Sequence, residues 1–147
     1  GSEMCIRDSA SDVEKIEFAL EKTNLQAYKD KRVDELSGGQ LQRVYIAMAL
    51  AQSTDIIILD EPTTFLDIKY QKSIMQLVKE LNKSLGITII MVLHDINQAL
   101  TYSDNIIALL NGKVIKNDQA ANFFDENLLN RLYDADIKIE DGKVISW

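Results

Sequence analysis

The chain has 147 residues, 46% hydrophobic and 27% charged, ordinary proportions for a globular domain long enough to bury a real core. A net charge of −7 argues against sequence-independent nucleic-acid binding, which needs a basic stripe. One cysteine, Cys5, excludes an internal disulfide and fits a reducing compartment, and the longest apolar runs, 56–59 and 87–93, fall far short of a ~20-residue membrane span.

Residues 1–9 show neither periodicity nor the apolar stretch of a secretory signal. Gly1-Ser2 resembles the remnant of an expression tag, so we expect 1–9 to be a tag or non-native leader outside the fold. From Asp12 the pattern turns helical, with Asp12 as a candidate cap and Val13, Ile16, Ala19 and Leu20 as an apolar stripe. Thr23-Asn24 ends this helix. The stretch 25–33 is a polar connection anchored by Leu25, Tyr28 and Val33.

Leu36-Ser37-Gly38-Gly39-Gln40 then runs directly into a segment rich in Ala, Leu and Met. Ser37 is a good N-cap, and two glycines leave the backbone open to close approach. The run that follows predicts a well-formed, mostly buried helix. Its N-terminus concentrates unpaired N–H donors at the positive end of the helix dipole, which suits a phosphate. Five specified residues coincide at a given position about once in 10⁶.

After a loop at 52–54, Ile56-Ile57-Ile58-Leu59-Asp60 predicts a strand buried on both faces, the mark of a parallel sheet. Glu61 and the only proline, Pro62, end it. A helix is expected over 68–85, with Ile74, Leu77, Val78, Leu81 and Leu85 on one face and Gly86 as its C-cap. Residues 87–93 form a second apolar strand, closing a strand–helix–strand unit with the usual right-handed crossover. His94-Asp95 follows, then a short helix carrying Ile96, Ala99 and Leu100. A third strand spans 105–110, and Asn111-Gly112 signals a hairpin into 113–116. Residues 117–133 read as helical in pieces, packed through Phe123, Phe124, Leu128, Leu129 and Leu132, with Asp125 as a cap. A terminal hairpin covers 137–140 and 143–146 around Asp141-Gly142.

Ligands of parallel α/β sheets gather beyond the carboxyl ends of the strands. Two strands end there in polar residues, one in Asp60-Glu61 and one in His94-Asp95. Paired carboxylates suit a hydrated Mg²⁺ together with a base that orients an attacking water. Asp60-Glu61-Pro62 also reads as a simple strand-ending turn. His94, the single histidine, reads as either a structural or a catalytic residue.

From about residue 12 onward the combination resembles the ATP-binding subunit of ABC transporters. Leu36–Gln40 matches that family's signature motif, Ile56–Asp60 with Glu61 its Walker B strand and catalytic glutamate, Thr63-Thr64-Phe65-Leu66-Asp67 its D-loop, and His94 its switch histidine. Within the family, 63–67 and His94-Asp95-Ile96-Asn97-Gln98-Ala99 look like importers of ferric siderophores, haem or cobalamin. The resemblance implies a P-loop NTPase fold of the ABC type, α/β, with parallel strands, crossover helices and C-terminal hairpins. It divides the chain into the remainder of a helical signature subdomain, 10–52, and the C-terminal part of the ATPase core, 53–147.

It also implies roles and partners. ATP and Mg²⁺ are the expected cofactors, with Asp60 holding the metal through water, Glu61 polarising the hydrolytic water and His94 touching the γ-phosphate. Ser37, Gly38, Gly39 and Gln40 would face ATP held by a second copy in a two-fold homodimer, and Asp67 would organise the interface between subunits. Membrane permease subunits would complete the importer, placing the protein in the cytoplasm at the inner face of the membrane without inserting into it.

The family's glycine-rich phosphate loop, G-x-x-G-x-G-K-[ST], has no counterpart here: neither Gly112-Lys113-Val114 nor Gly142-Lys143-Val144 has the required third residue. The chain is therefore read as a part of the nucleotide-binding domain without Walker A. It is expected to be inactive alone and either unstable or prone to pair through uncovered sheet. Two other readings are an ABC-type ATPase fragment of DNA repair or translation, and a non-catalytic dimerisation module.

Overall fold

The computed structural model describes residues 10–123, 125–140 and 143–146. The chain is mixed α/β and divides into two compact units, Gly1–Val92 and Leu93–Trp147.

The first unit opens with α1, Ala10–Lys22. The helix starts ahead of the expected cap, and Asp12 instead lies in its first turn, where a carboxylate complements the positive helix end. Thr23 Oγ1 donates to the Ala19 carbonyl at 2.7 Å, and Asn24 turns the chain with φ +56°. Leu25 is buried as expected, but Val33 is exposed. It sits in a one-turn 3₁₀ helix, Val33–Glu35, too short to turn a face inward.

Helix α2, Gly38–Ala51, buries Gly39, Ile46, Ala47 and Leu50 but leaves Tyr45 and Met48 exposed. The expectation of a mostly buried helix is thus met along one stripe only, because α2 packs against α1 and α3 (Ile68–Leu85) on one side. In α3 the predicted bounds and apolar face are realised, and Gly86 closes the helix with φ +69°. The left-handed region there favours glycine.

Strands β1, Ile56–Asp60, and β2, Thr88–Val92, pair in parallel with Ile56 opposite Thr88 and Asp60 opposite Val92. Burial on both faces is not what β1 shows. Ile57 and Leu59 enter the core with Ile46, Leu50, Ile74, Leu77, Val78 and Leu81, while Ile56 and Ile58 are 54% and 70% exposed. No further strand joins these two among the described residues, so one face alternates out of the core. Ile90 and Val92 of β2 are exposed beside them. Such a patch favours association. Ile58→Lys is expected to reduce concentration-dependent self-association of the chain in sedimentation velocity; unchanged association would place the sticky surface elsewhere.

The second unit contains α4 (Ile96–Tyr102), β3 (Asn105–Leu110), β4 (Lys113–Gln119), α5 (Glu126–Tyr133), β5 (Lys138–Glu140) and β6 (Lys143–Ser146). Asn111 and Gly112 have φ +50° and +73°, the backbone of a tight hairpin turn. β4 runs to Gln119, past the expected end at 116, because antiparallel pairing with β3 continues to Asn105–Gln119 across a bulge at Ala108/Leu109. Helix in 117–133 is confined to a 3₁₀ turn, Ala120–Asn122, and to α5, whose cap is Asp125: its side chain accepts from the Leu128 amide at 3.1 Å. The core gathers Ile96, Ala108, Phe123, Leu128, Leu129, Ile137 and Val144. β5 and β6 form the predicted antiparallel hairpin; Phe124 and the Asp141-Gly142 turn lie outside the described residues.

Candidate functional site

The first unit carries a helix terminus suited to an anion. Ser37 caps α2 by accepting the Gln40 amide at 3.3 Å. In return the Ser37 amide donates to Gln40 Oε1 at 2.9 Å. This reciprocal box occupies two of the terminal groups and leaves the Gly38 and Gly39 amides as first-turn donors without an intrahelical acceptor. Ser37 and Gly38 are exposed and Gly39 is buried. Gln40 thus has a local task that the motif alone does not reveal.

What lies over the two glycines demands Gly39 and tolerates more at Gly38. A Cβ on Gly39 would come within 2.7 Å of Tyr70 Cδ1, and one on Gly38 would meet Leu66 Cδ2 at 3.4 Å. The N-terminus of α2 therefore rests on the segment that leads into α3. Gly39→Ala forces the Tyr70 ring aside and is expected to lower stability by about 1–3 kcal/mol, read from urea unfolding. Gly38→Ala should change it by less than about 1 kcal/mol. Equal losses would contradict the packing.

That segment begins at the end of β1. Asp60 is exposed, and the Glu61 amide extends the sheet by donating to the Val92 carbonyl at 3.2 Å. Glu61 then takes φ +46°, a left-handed backbone uncommon for a non-glycine residue and one that collects at functional sites. Its Oε2 accepts from Thr64 Oγ1 at 2.9 Å. Pro62 and Thr63 are buried, and Gln71 Nε2 reaches back from α3 to the Leu66 carbonyl at 3.0 Å. Asp67 caps α3, accepting the Tyr70 amide at 3.1 Å. Phe65, with φ +64°, projects fully into solvent.

Arg43 braces this unit: Nη1 donates to the Thr23 carbonyl at 2.9 Å and Nη2 to Ser73 Oγ at 2.7 Å. Arg43 and Tyr70 were not singled out by the sequence, and Thr64 was named only as part of the 63–67 motif, without its bond to Glu61. Arg43 and Tyr70 act across 30 or so residues of chain, which no local pattern records; only the i, i+3 spacing of Glu61 and Thr64 could have been noticed.

His94 and Asp95 open the second unit. Asp95 caps α4, its Oδ1 accepting the Asn97 and Gln98 amides at 2.8 and 3.1 Å. Tyr133 Oη donates to the His94 carbonyl at 3.2 Å. Burial of Tyr133, and then the charge of Asp95, raise its pKa above the ordinary 10.0. The folded state therefore holds the phenolic proton more tightly than the unfolded state. The resulting stabilisation is complete below pH 10.0 and is lost as pH rises through the folded pKa. Subtracting the tyrosinate absorbance titration of Tyr133→Phe from that of wild type should isolate a transition with its midpoint above 10.0; a midpoint at or below that value would refute it.

Among the described residues no group of three or more His, Cys, Asp or Glu could hold a metal. The residues fit Mg²⁺ in its common mode, in which one or two carboxylates and phosphate oxygens complete a largely hydrated shell: Asp60, exposed at the carboxyl end of β1, would offer such a carboxylate.

A family model described as ABC transporter matches residues 2–64. The petrobactin import ATP-binding protein FpuC of Bacillus anthracis is 54% identical over 108 residues, 74% of this chain and 40% of FpuC. The iron(3+)-hydroxamate import ATP-binding protein FhuC of Bacillus subtilis is 47% identical over 124 residues, 84% of this chain and 46% of FhuC. The chain thus spans about half the length of the curated relatives it matches. Among solved structures, a metal-chelate type ABC transporter in an inward-facing conformation superposes with a TM-score of 0.81 at 25% identity, covering 94% of this chain and 56% of that one. The dimeric ATP-binding cassette MJ0796, bound to ADP and Pi, gives 0.62 at 40% identity over 75% of this chain and 47% of its own. At 54% identity over 74% of its length to one ATP-binding protein of this kind and 47% over 84% to another, the chain belongs to the ABC transporter ATPase family.

Proposed function

We propose that the chain carries part of the nucleotide-binding domain of an ATP-hydrolysing importer subunit, acting on ferric siderophores or related iron chelates. The observation that carries the reading is one compact unit holding both a boxed, glycine-opened helix N-terminus and a carboxylate pair at the end of a parallel strand. The relatives named above, which import petrobactin and iron(3+)-hydroxamate, point to the substrate class.

In this reading two copies pair, as MJ0796 does, and ATP lies between them. Gly38 and Gly39 amides and the Ser37 hydroxyl face the γ-phosphate of ATP bound by the partner, with Gln40 holding that terminus in shape. Asp60 ligates Mg²⁺ through water. When bound, the metal neutralises phosphate charge. Glu61 orients the hydrolytic water and accepts its proton, and Thr64 steadies the carboxylate. His94 donates to the γ-phosphate oxygens as their charge changes in the transition state. Asp67 shapes the D-loop against the partner, and Phe65 packs there. The subunit works in the cytoplasm, docked to membrane permease subunits; none of the described helices is long and apolar enough to cross a membrane.

The test is reconstitution of the full-length subunit with its permease in proteoliposomes. Uptake of a ferric hydroxamate chelate coupled to ATP hydrolysis supports the reading. Hydrolysis without uptake or stimulation by any iron chelate overturns the importer assignment, and no hydrolysis in the complete complex overturns the ATPase assignment.

A further inference from the structure

His94 sits on a short turn between β2 and α4 and is exposed, so burial contributes little to holding it. Beside the Asp95 cap, the turn is held by residues from much later in the chain. Tyr133, at the last position of α5, donates its hydroxyl to the His94 carbonyl at 3.2 Å across 39 residues. Three residues beyond His94, Asn97 grips β6 with both ends of its carboxamide. Oδ1 accepts the Val144 amide at 3.0 Å, and Nδ2 donates to the Val144 carbonyl at 3.3 Å.

These contacts are specific in a way that general packing is not. Asn97 satisfies both backbone groups of one strand residue, as a neighbouring strand would. Its own amide is already held by Asp95, so the cap of α4 and the terminal hairpin are joined through a single side chain. Ile96 and Val144 are buried in the same cluster as Leu129 and Ile137, which seats α4, α5 and the hairpin on a common apolar floor. The Tyr133 hydroxyl adds a polar tie that lands on the backbone of the histidine itself.

We propose that Tyr133 and Asn97 are positioning residues for His94, and that α5 and the β5–β6 hairpin form a brace that sets where the histidine is presented. The proposal rests on the reading of His94 as a phosphate-facing group. If His94 must reach a phosphate oxygen within hydrogen-bond distance, then loosening its carbonyl anchor lowers turnover without weakening ATP binding.

Two experiments with different readouts test this. On the full chain, backbone ¹⁵N relaxation is compared between wild type, Tyr133→Phe and Asn97→Asp. The first variant removes only the hydroxyl; the second keeps an acceptor for the Val144 amide and loses the donor to its carbonyl. Order parameters at His94 and Asp95 should fall from about 0.85 toward 0.6 while those of α5 and β3 hold. In the full-length subunit, Tyr133→Phe should lower kcat about three- to tenfold with KM for ATP within about twofold. It should cause no further loss in a His94→Ala background.

Unchanged order at His94 and Asp95 overturns the brace. An equal kcat loss with and without His94 also overturns it, since Tyr133 would then act on stability alone. If His94→Ala leaves turnover intact while the order parameters still fall, it is the catalytic reading of His94 that fails. The two failures are therefore distinguishable.

Discussion

Replacing Glu61 with Gln in the full-length subunit is expected to reduce ATP turnover by about two to four orders of magnitude while leaving Mg–ATP affinity within about twofold. The substitution keeps the shape of the side chain, and its amide oxygen can still accept from Thr64 Oγ1, now 2.9 Å from Oε2. The backbone is untouched too: the hydrogen bond that the Glu61 amide donates to the Val92 carbonyl and the positive φ of Glu61 do not involve the side chain. What disappears is a group able to take a proton from water. Single-turnover hydrolysis and nucleotide titration separate the two effects. Loss of affinity matching the loss of rate would mean that Glu61 binds nucleotide rather than serving as the base.

Phe123→Ala should cost about 3–5 kcal/mol of stability in the second unit. Phe123 is 1% exposed and heads the largest fully buried side chains. It follows the 3₁₀ turn that delivers β4 toward α5, and packs with Ala108, Leu128 and Leu129. The ammonium of Lys116 lies 5.1 Å from its ring centroid and donates to the Asn122 carbonyl at 3.0 Å, so truncation also removes a cation–π contact. Phe123→Leu retains most of the volume and should cost less than about half as much. Hydrogen exchange at amides of α5 and β3 checks the pair. Equal protection in wild type and Phe123→Ala would mean that the cavity collapses without loss.

Local chemistry made much of this legible in advance. Ile68–Leu85 is announced by an apolar stripe and closed by Gly86; Asn111-Gly112 turns as its type demands; Ser37 and Asp125 cap the helices they precede. The errors have physical sources. Periodicity reports that a residue is apolar, not that something covers it, so Ile56 and Ile58 were expected inside although both are more than half exposed among the described residues. The end of β4 was missed because pairing with β3 carries Asn117–Gln119 along despite their weak strand propensity. Asp67, expected to shape an interface, is seen holding the start of α3, a task compatible with that role. Side chains that act at long range, such as Arg43 on Ser73 or Tyr133 on His94, leave no mark in any window short enough to read.

The box at the start of α2 also explains a choice of amino acid. Glutamate would close a Ser-x-x-Glu box as well as glutamine does, and on an ordinary helix it would add a favourable charge–dipole interaction. Here the same charge would stand beside the Gly38 and Gly39 amides and repel the phosphate they are proposed to receive. A carboxamide keeps the geometry and contributes no field of its own sign. On the proposed reading, glutamine at position 40 is a neutral spacer: it trades a little helix stability for a terminus that an anion can approach.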